Sequence, residues 1–319
     1  MTAVANPPEV ADEIGDPDAE PGRIGRLARA IRTRAISAQP RPRTPLPLWV
    51  GVAMVLGALA LWGVLYTTVF SSMYAARAQK LLYGDLRANL AAEEAPTGGT
   101  IKVGTPDALL TIPAAGIHDL VVVEGTSSSV LRKGPGHLRS TPLPGQPGRS
   151  VIFGRSLSFG APFRHIAGLD PGQKIQITTQ EGVFTYSVEQ VRHVGQSSLP
   201  PSADKPGLTL VSSEGDGWRS GWAPNTPVYV DATLDGTPQP ATAPPPSAVP
   251  ADEQVMRSDT SDLAILVLCL QLLILATAGV VWAASRWTSR QAWLVGAPVI
   301  LGVLWLVTNV AAPLLPNLV

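Results

Sequence analysis

The chain has 319 residues, 24 basic and 24 acidic side chains, and a single cysteine, Cys269. That length allows one or two domains with a real core, and the balanced charge gives no general electrostatic affinity for nucleic acid. The lone thiol excludes an internal disulfide. Because it lies in an apolar run, the polar middle of the chain must also work without a cysteine nucleophile or a Cys-ligated metal.

Residues 1–47 are expected to form a disordered, Arg-rich cytoplasmic tail. Six acids precede Gly22, and seven arginines follow between Arg23 and Arg43. Within it, residues 23–37 fit either an amphipathic helix lying on an anionic leaflet or a disordered topogenic cluster. Residues 48–70 are uncharged and long enough to cross a bilayer, which takes about 20 residues. A secretory apolar region is about 7–15 residues and follows a short leader, so a retained anchor is the better reading. Residues 71–99 read as a stalk, helical over 71–92 where Tyr74, Leu81, Leu82, Leu86 and Leu90 recur at three- to four-residue spacing.

From 100 to 235 the pattern changes to short β-type runs separated by Gly and Pro: ALLTIP, DLVVVEG, SVIFG, KIQITTQ, VFTYSVEQVRHV, LTLVSS and PVYVDATL. Such runs predict an all-β barrel or sandwich. Residues 236–262 form a Pro-rich linker, expected to be semi-rigid and extended. Two further spans follow at 263–284 and 291–312, joined by a short loop at 285–290 that carries Arg286 and Arg290. The arginines place the N-terminus and this loop in the cytoplasm, and therefore the β domain and the 313–319 tail outside the plasma membrane. Cys269, with Gln271 nearby in the second span, is most simply a packing residue.

The β region carries a resemblance. The run LTIPAAGIHDLVVVEGTSSSVLRKGPGH (residues 110–137) is similar to the opening of sortase transpeptidases, most closely the class E group of actinobacteria. The stretch TPLPGQPGRSVIFGRSLSFGAPF (141–163), then LDPGQKIQI (169–177) and LTLVSS (208–213), follow in the family's order. The resemblance implies a mostly β fold, a sortase-like closed β-barrel ectodomain, carried here with three transmembrane α-helices. It also implies a His, Cys and Arg triad. The histidine position falls on Arg155, the cysteine position on Ser213, and the arginine position near Asn225 or Thr226. All three depart from the family, which suggests a degenerate sortase.

A serine nucleophile needs an adjacent base, and a guanidinium accepts no proton. The rival reading is a divergent transpeptidase or hydrolase using Ser213. A third is a membrane scaffold assembled through its helices. Glu214 is a candidate ion-pair partner for Arg155; His137 belongs to the GPGH turn and reads as a satisfied structural residue, while His118, His165 and His193 have no evident partner in the sequence. Trp218, Arg219 and Trp222 are candidate groove or partner contacts, since Trp is enriched at interaction hot spots. The acidic turn after Ser213 lacks the calcium-loop pattern, so no metal and no cofactor is expected. The expected partners are the membrane and an extracytoplasmic peptide or surface protein, within a possible membrane-protein complex and without nucleic acid.

Overall fold

The computed structural model describes residues 48–196, 206–215 and 224–319. The chain divides into Met1–Val55 and Leu56–Val319. Of the first unit only the opening turns of one helix are described, and everything below concerns the second. The Arg-rich tail, including residues 23–37, lies outside the described residues.

Helix α1 (Leu48–Leu65) runs through a π-helical turn, Tyr66–Phe70, into α2 (Ser71–Ala91). α2 then packs on the barrel. Leu82 and Leu86 meet Val121, Val123 and Val130 in one buried cluster. Gln79 clamps the junction, donating to the backbone oxygens of Val121 (3.1 Å) and Lys133 (2.8 Å) and accepting from Val121 N–H (2.8 Å). The stalk expected to lead away from the bilayer is therefore also one wall of the folded domain.

The strands are β1 (Pro106–Ile112), β2 (Ile117–Glu124), β3 (Gly136–His137), β4 (Arg149–Phe153), β5 (Lys174–Thr179), β6 (Gly182–His193), β7 (Gly207–Glu214) and β8 (Thr226–Leu234). They close into a barrel in the order β1-β2-β3-β4-β7-β8-β6-β5. A short helix, α3 (Ser128–Leu131), connects β2 to β3. Alternate strand side chains fill the interior, among them Leu110, Ile152, Ile175, Ile177, Tyr186, Leu208, Leu210 and Val230, because successive residues of a strand point to opposite faces, and Phe163 joins them from the β4–β5 connection. Seven of the eight strands coincide with the β-type runs of the sequence. The exception, β3, has two residues, too few to display any alternation.

A buried polar group fastens four strands. Asp231 on β8 accepts from Arg149 on β4 (3.3 Å), from Gln190 (3.2 Å) and Arg192 (2.7 Å) on β6, and from Thr209 on β7 (2.7 Å). Burial pushes its carboxyl up, but the hydrogen bonds from Arg192, Thr209 and Gln190 hold it below its ordinary value.

Helices α4 (Leu263–Arg286) and α5 (Ser289–Ala311) form a close antiparallel hairpin. A Cβ on Gly296 would sit 2.6 Å from Val280, so the pair approaches at a residue without a side chain. Three helical segments are long and apolar enough to cross a membrane: Ala53–Ala91, Leu263–Arg286 and Arg290–Leu314. Trp62 Nε1 donates to Thr308 Oγ1 (3.0 Å), and Phe70 and Tyr66 pack edge-on to Trp305 at 5.1 and 5.8 Å. The Pro-rich stretch is not the free spacer expected from composition. Gln239 N–H bonds Gly145 O (2.9 Å), and Arg139 donates to Glu253 (3.0 Å).

The turn after β4 is one of the close approaches in the wall. A Cβ on Gly154 would lie 2.3 Å from the buried Phe163 ring, while Gly154 N–H bonds Val211 O at 2.9 Å. Gly154→Ala is expected to cost about 1–3 kcal/mol by overpacking, read as a lower unfolding midpoint of the detergent-solubilised chain. An unchanged midpoint would mean that Phe163 has room to yield.

Lowering the pH tests Asp231 separately. A carboxyl depressed in the fold stabilises it above the unfolded-state value, near 3.9, and that contribution is lost as pH falls through the folded-state value. Asp231→Asn should therefore flatten the acid limb of the stability profile, measured as unfolding midpoint against pH. An acid limb identical to that of the unmodified chain would count against this role.

Candidate functional site

Strand pairing delivers the suspected site. β4 and β7 are parallel, with Phe153 opposite Val211, and β7 is antiparallel to β8, with Ser213 opposite Pro227 and Glu214 opposite Thr226. Arg155 follows β4 by two residues, Ser213 is the penultimate residue of β7, and Thr226 opens β8. The three positions that the resemblance singled out thus lie at one end of the barrel.

Arg155 is 0% exposed. No carboxylate side chain pairs with it among the described residues. Its guanidinium donates instead to Ser128 O (2.9 Å), Ser128 Oγ (2.7 Å), Ser158 Oγ (3.2 Å) and the backbone oxygen of Val319. Its face lies 5.0 Å from the Phe159 ring centroid, and Arg132 lies 5.1 Å from the same ring. Burial, with Arg132 nearby, pulls the guanidinium down to about 9. It is still a cation at neutral pH, because even that value lies well above 7. It cannot serve as a base.

Ser213 is also buried, and its hydroxyl is engaged. Ser213 Oγ donates to Leu318 O at 2.7 Å, since a carbonyl only accepts. Ser156 Oγ lies 2.8 Å from Ser213 Oγ, and Ser156 N–H donates to Leu318 O at 3.0 Å. With the Ser213 proton committed, the Ser156 hydroxyl donates to Ser213. No histidine or carboxylate among the described residues bonds Ser213. The sequence left open a base for this hydroxyl, and the geometry supplies a carbonyl.

The occupant of this site is the chain itself. Residues 312–319 fold back from α5 onto the barrel end. Leu318 is fully buried against Leu131, Phe153 and Val211. Asn317 Nδ2 donates to Thr126 O and Gln254 O, both at 2.9 Å, and Ser128 Oγ donates to Leu315 O at 3.1 Å. Ser158 Oγ donates to Val319 O at 2.6 Å. Sequence reading treated 313–319 only as an extracytoplasmic tail, and no local pattern signals its return. Ser128, Ser156 and Ser158 were missed for the same reason, since each matters only through that segment.

Two expectations need correction. Glu214 does not pair with Arg155; it pairs with Nδ1 of His193, for which no partner was evident, from β6 on the far side of β8. The guanidinium is buried in the barrel end, whereas Glu214 and His193 are both partly exposed. His137, expected as a satisfied residue of the GPGH turn, has as its partners Glu124 at 2.9 Å and Pro142 O at 3.1 Å. Asn225 is exposed, donating its N–H to Glu214 O (3.0 Å) and accepting from Thr226 Oγ1 (3.3 Å). Neither Asn225 nor Thr226 bonds Arg155, Ser213 or the returning segment. Trp218, Arg219 and Trp222 lie outside the described residues. Beside Ser213 a cavity of about 310 Å³ remains, lined among others by Ser156, Phe163, Arg164, Glu214 and Val228.

Arg155→Met should free the 315–319 segment. It removes the donor to Val319 and leaves Ser128 O short of a partner, at about 1–3 kcal/mol for each buried group left unpaired. Amide exchange at Asn317–Val319 should rise well above that of the unmodified chain. Protection equal to the unmodified chain would mean that Leu318 packing alone holds the segment.

Comparison with known proteins agrees with the motif order. Residues 110–219 match the family described as sortase domain. Sortase D of Bacillus subtilis (strain 168) is 29% identical over 93 residues, 29% of this chain and 45% of that protein, so the match spans less than half of the relative's length. Among solved structures, a sortase D5 transpeptidase of Clostridium perfringens aligns with 50% of this chain and 99% of its own, at 25% identity and a TM-score of 0.41. A lid mutant of sortase A from Corynebacterium diphtheriae aligns with 50% and 95%, at 20% identity and a TM-score of 0.37. The likeness to sortases is thus confined to the barrel region, where residues 110–219 match the sortase domain.

Proposed function

We propose that this is a catalytically degenerate sortase-like membrane protein, nearest the class E group. In this reading the groove binds an extended peptide or a surface-protein segment without transferring it, as an accessory to envelope protein anchoring or assembly. The carrying observation is the commitment of Ser213 Oγ–H to a carbonyl oxygen, beside a cationic Arg155 in the base position. An acyl transfer through Ser213 requires a group that removes its proton. Each hydroxyl near Ser213 is already used as a hydrogen-bond donor, so the transpeptidase or hydrolase alternative has no base to work with.

Segment 315–319 supports the kind of ligand. It presents a carbonyl to Ser156 N–H and Ser213 Oγ–H, and an apolar side chain to Leu131, Phe153 and Val211. Main-chain hydrogen bonding with pockets for individual side chains is a general mode of extended-peptide recognition. The chain's own segment is then the resident ligand, which a partner must displace.

The proposed orientation keeps the N-terminus in the cytoplasm and the barrel outside. Two features support it. Arg286 and Arg290 flank the α4–α5 turn, and the segment after α5 reaches the barrel, which requires both to be on one side of the bilayer.

The test is competition in the full membrane-embedded chain. A fluorescent peptide of sequence PLLPNLV should bind a chain lacking residues 315–319 at least tenfold more tightly than the unmodified chain, and be recovered intact. No binding to the shortened chain would sink the proposal, provided its unfolding midpoint shows that it is folded.

A further inference from the structure

We propose that Asp107, Glu124 and His137 form a binding site for a zinc-class divalent cation inside the barrel wall. Nothing in the peptide groove is needed for this site. It is carried by three neighbouring strands: β1 supplies Asp107, β2 Glu124 and β3 His137. Glu124 pairs directly with His137 across β2 and β3. Between β1 and β2 the register slips, with Pro106 opposite Val123 but Ala108 opposite Val122, so Asp107 is the extra residue of a β-bulge. Bulges re-aim a side chain out of the alternating pattern. Asp107 is buried, 1% exposed, beside Glu124 and His137.

The donor set converges. One ligand atom from each residue lies within 4.8 Å of the others, and all three residues are buried. Neither oxygen of Asp107 has a partner at full hydrogen-bond geometry; the N–H groups of Asp107 and Ala108 and the Glu124 carboxyl lie near it without satisfying it. An unpaired carboxylate in such a position is expensive unless it is neutralised or coordinated to a metal.

The histidine is oriented for ligation. Its Nε2 faces Pro142 O and Thr141 Oγ1, both at 3.1 Å, and the Thr141 hydroxyl proton goes to Leu138 O at 2.7 Å. Both neighbours therefore accept, and Nε2 carries the hydrogen. In the neutral imidazole this leaves a lone pair on Nδ1, directed at the Glu124 carboxylate 2.9 Å away. Two acceptors at that distance need a proton or a cation between them. A backbone carbonyl that fixes the tautomer of a histidine is the usual outer-shell support of a metal ligand. Metal–ligand bonds of about 2.0–2.2 Å in a tetrahedral site place ligands about 3.3–3.6 Å apart, so Nδ1 and Oε2, now 2.9 Å apart at hydrogen-bond distance, open by a few tenths of an ångström to admit the ion.

Charge and ligand type select the ion. Two carboxylates and a neutral imidazole balance a divalent cation, and an imidazole nitrogen favours zinc-class metals over calcium or magnesium, which take oxygen. The competing arrangement has two protons instead: one on His137, and one on Asp107 shared with Glu124. Metal binding would displace those protons.

The experiment uses the full, tag-free chain in detergent, stripped with a chelator and titrated with Zn²⁺ in buffers of different ionisation enthalpy. The proposal expects one Zn²⁺ per chain, proton release on binding, a higher unfolding midpoint, and no displacement by excess Ca²⁺ or Mg²⁺. Asp107→Asn should weaken zinc binding at least tenfold while unfolding no lower than the stripped parent, because it removes an unpaired charge. Absence of stoichiometric zinc binding, or equal binding by Asp107→Asn, would overturn the site in favour of the two-proton arrangement. Should Asp107→Asn fail to fold, the parent chain still decides: identical unfolding midpoints with Zn²⁺ and with chelator overturn the proposal.

Discussion

A buried cation, without a carboxylate side-chain partner among the described residues, organises this end of the molecule. Arg155 is fully enclosed, and burial of a charge is costly unless hydrogen bonds replace the lost water. The replacements are oxygens from three separate places: Ser128 at the start of α3, Ser158 in the turn after β4, and the backbone of Val319. The guanidinium face is covered by Phe159, whose ring it shares with Arg132. An extended segment lined with carbonyls answers that demand better than another carboxylate would, because it also brings Leu318 to an apolar pocket. The constraint explains why the tail turns back onto this end of the barrel.

The same segment couples the membrane helices to the barrel. α5 ends at Ala311, and within eight residues the chain is pinned by Asn317, Leu318 and Val319. Asn309 Oδ1, still on α5, accepts from Tyr66 of the first helical segment and from Arg132 of the β2–β3 connection. Arg132 and Arg155 thus serve as a pair of cationic struts on either side of Phe159, one holding the hairpin and the other its continuation. Displacement of the segment by a partner would loosen a link between the surface domain and its anchor, and so offers a physical route by which binding outside the membrane reaches the helices.

Much of the fold was legible because its signals are local. Alternation in runs such as KIQITT and LTLVSS depends only on neighbouring residues, and each of the three spans is a continuous apolar run. The order of motifs also put Arg155 and Ser213 on adjoining strand ends, where the barrel places them. What was illegible depends on distant parts of the chain. The return of 315–319 is set by hairpin geometry and by a buried cation 160 residues earlier in the chain. The Asp107 bulge requires knowledge of the β1–β2 register, and the pairing of Glu214 with His193 depends on which strand neighbours β7 beyond β8. Proline content suggests a semi-rigid extended linker over 236–262 but carries no sign that Gln239 and Glu253 bond to the barrel.

The central claim is that the barrel end binds an extended carbonyl-bearing segment and does not form a covalent bond to it. Intact-mass measurement tests it most directly. The unmodified chain and a folded chain lacking 315–319 are incubated with a Leu-Pro-containing peptide activated as a thioester at its reactive carbonyl. The account predicts no acyl adduct on either chain, even where the shortened chain binds the peptide. An adduct on the shortened chain that disappears in Ser213→Ala would contradict it.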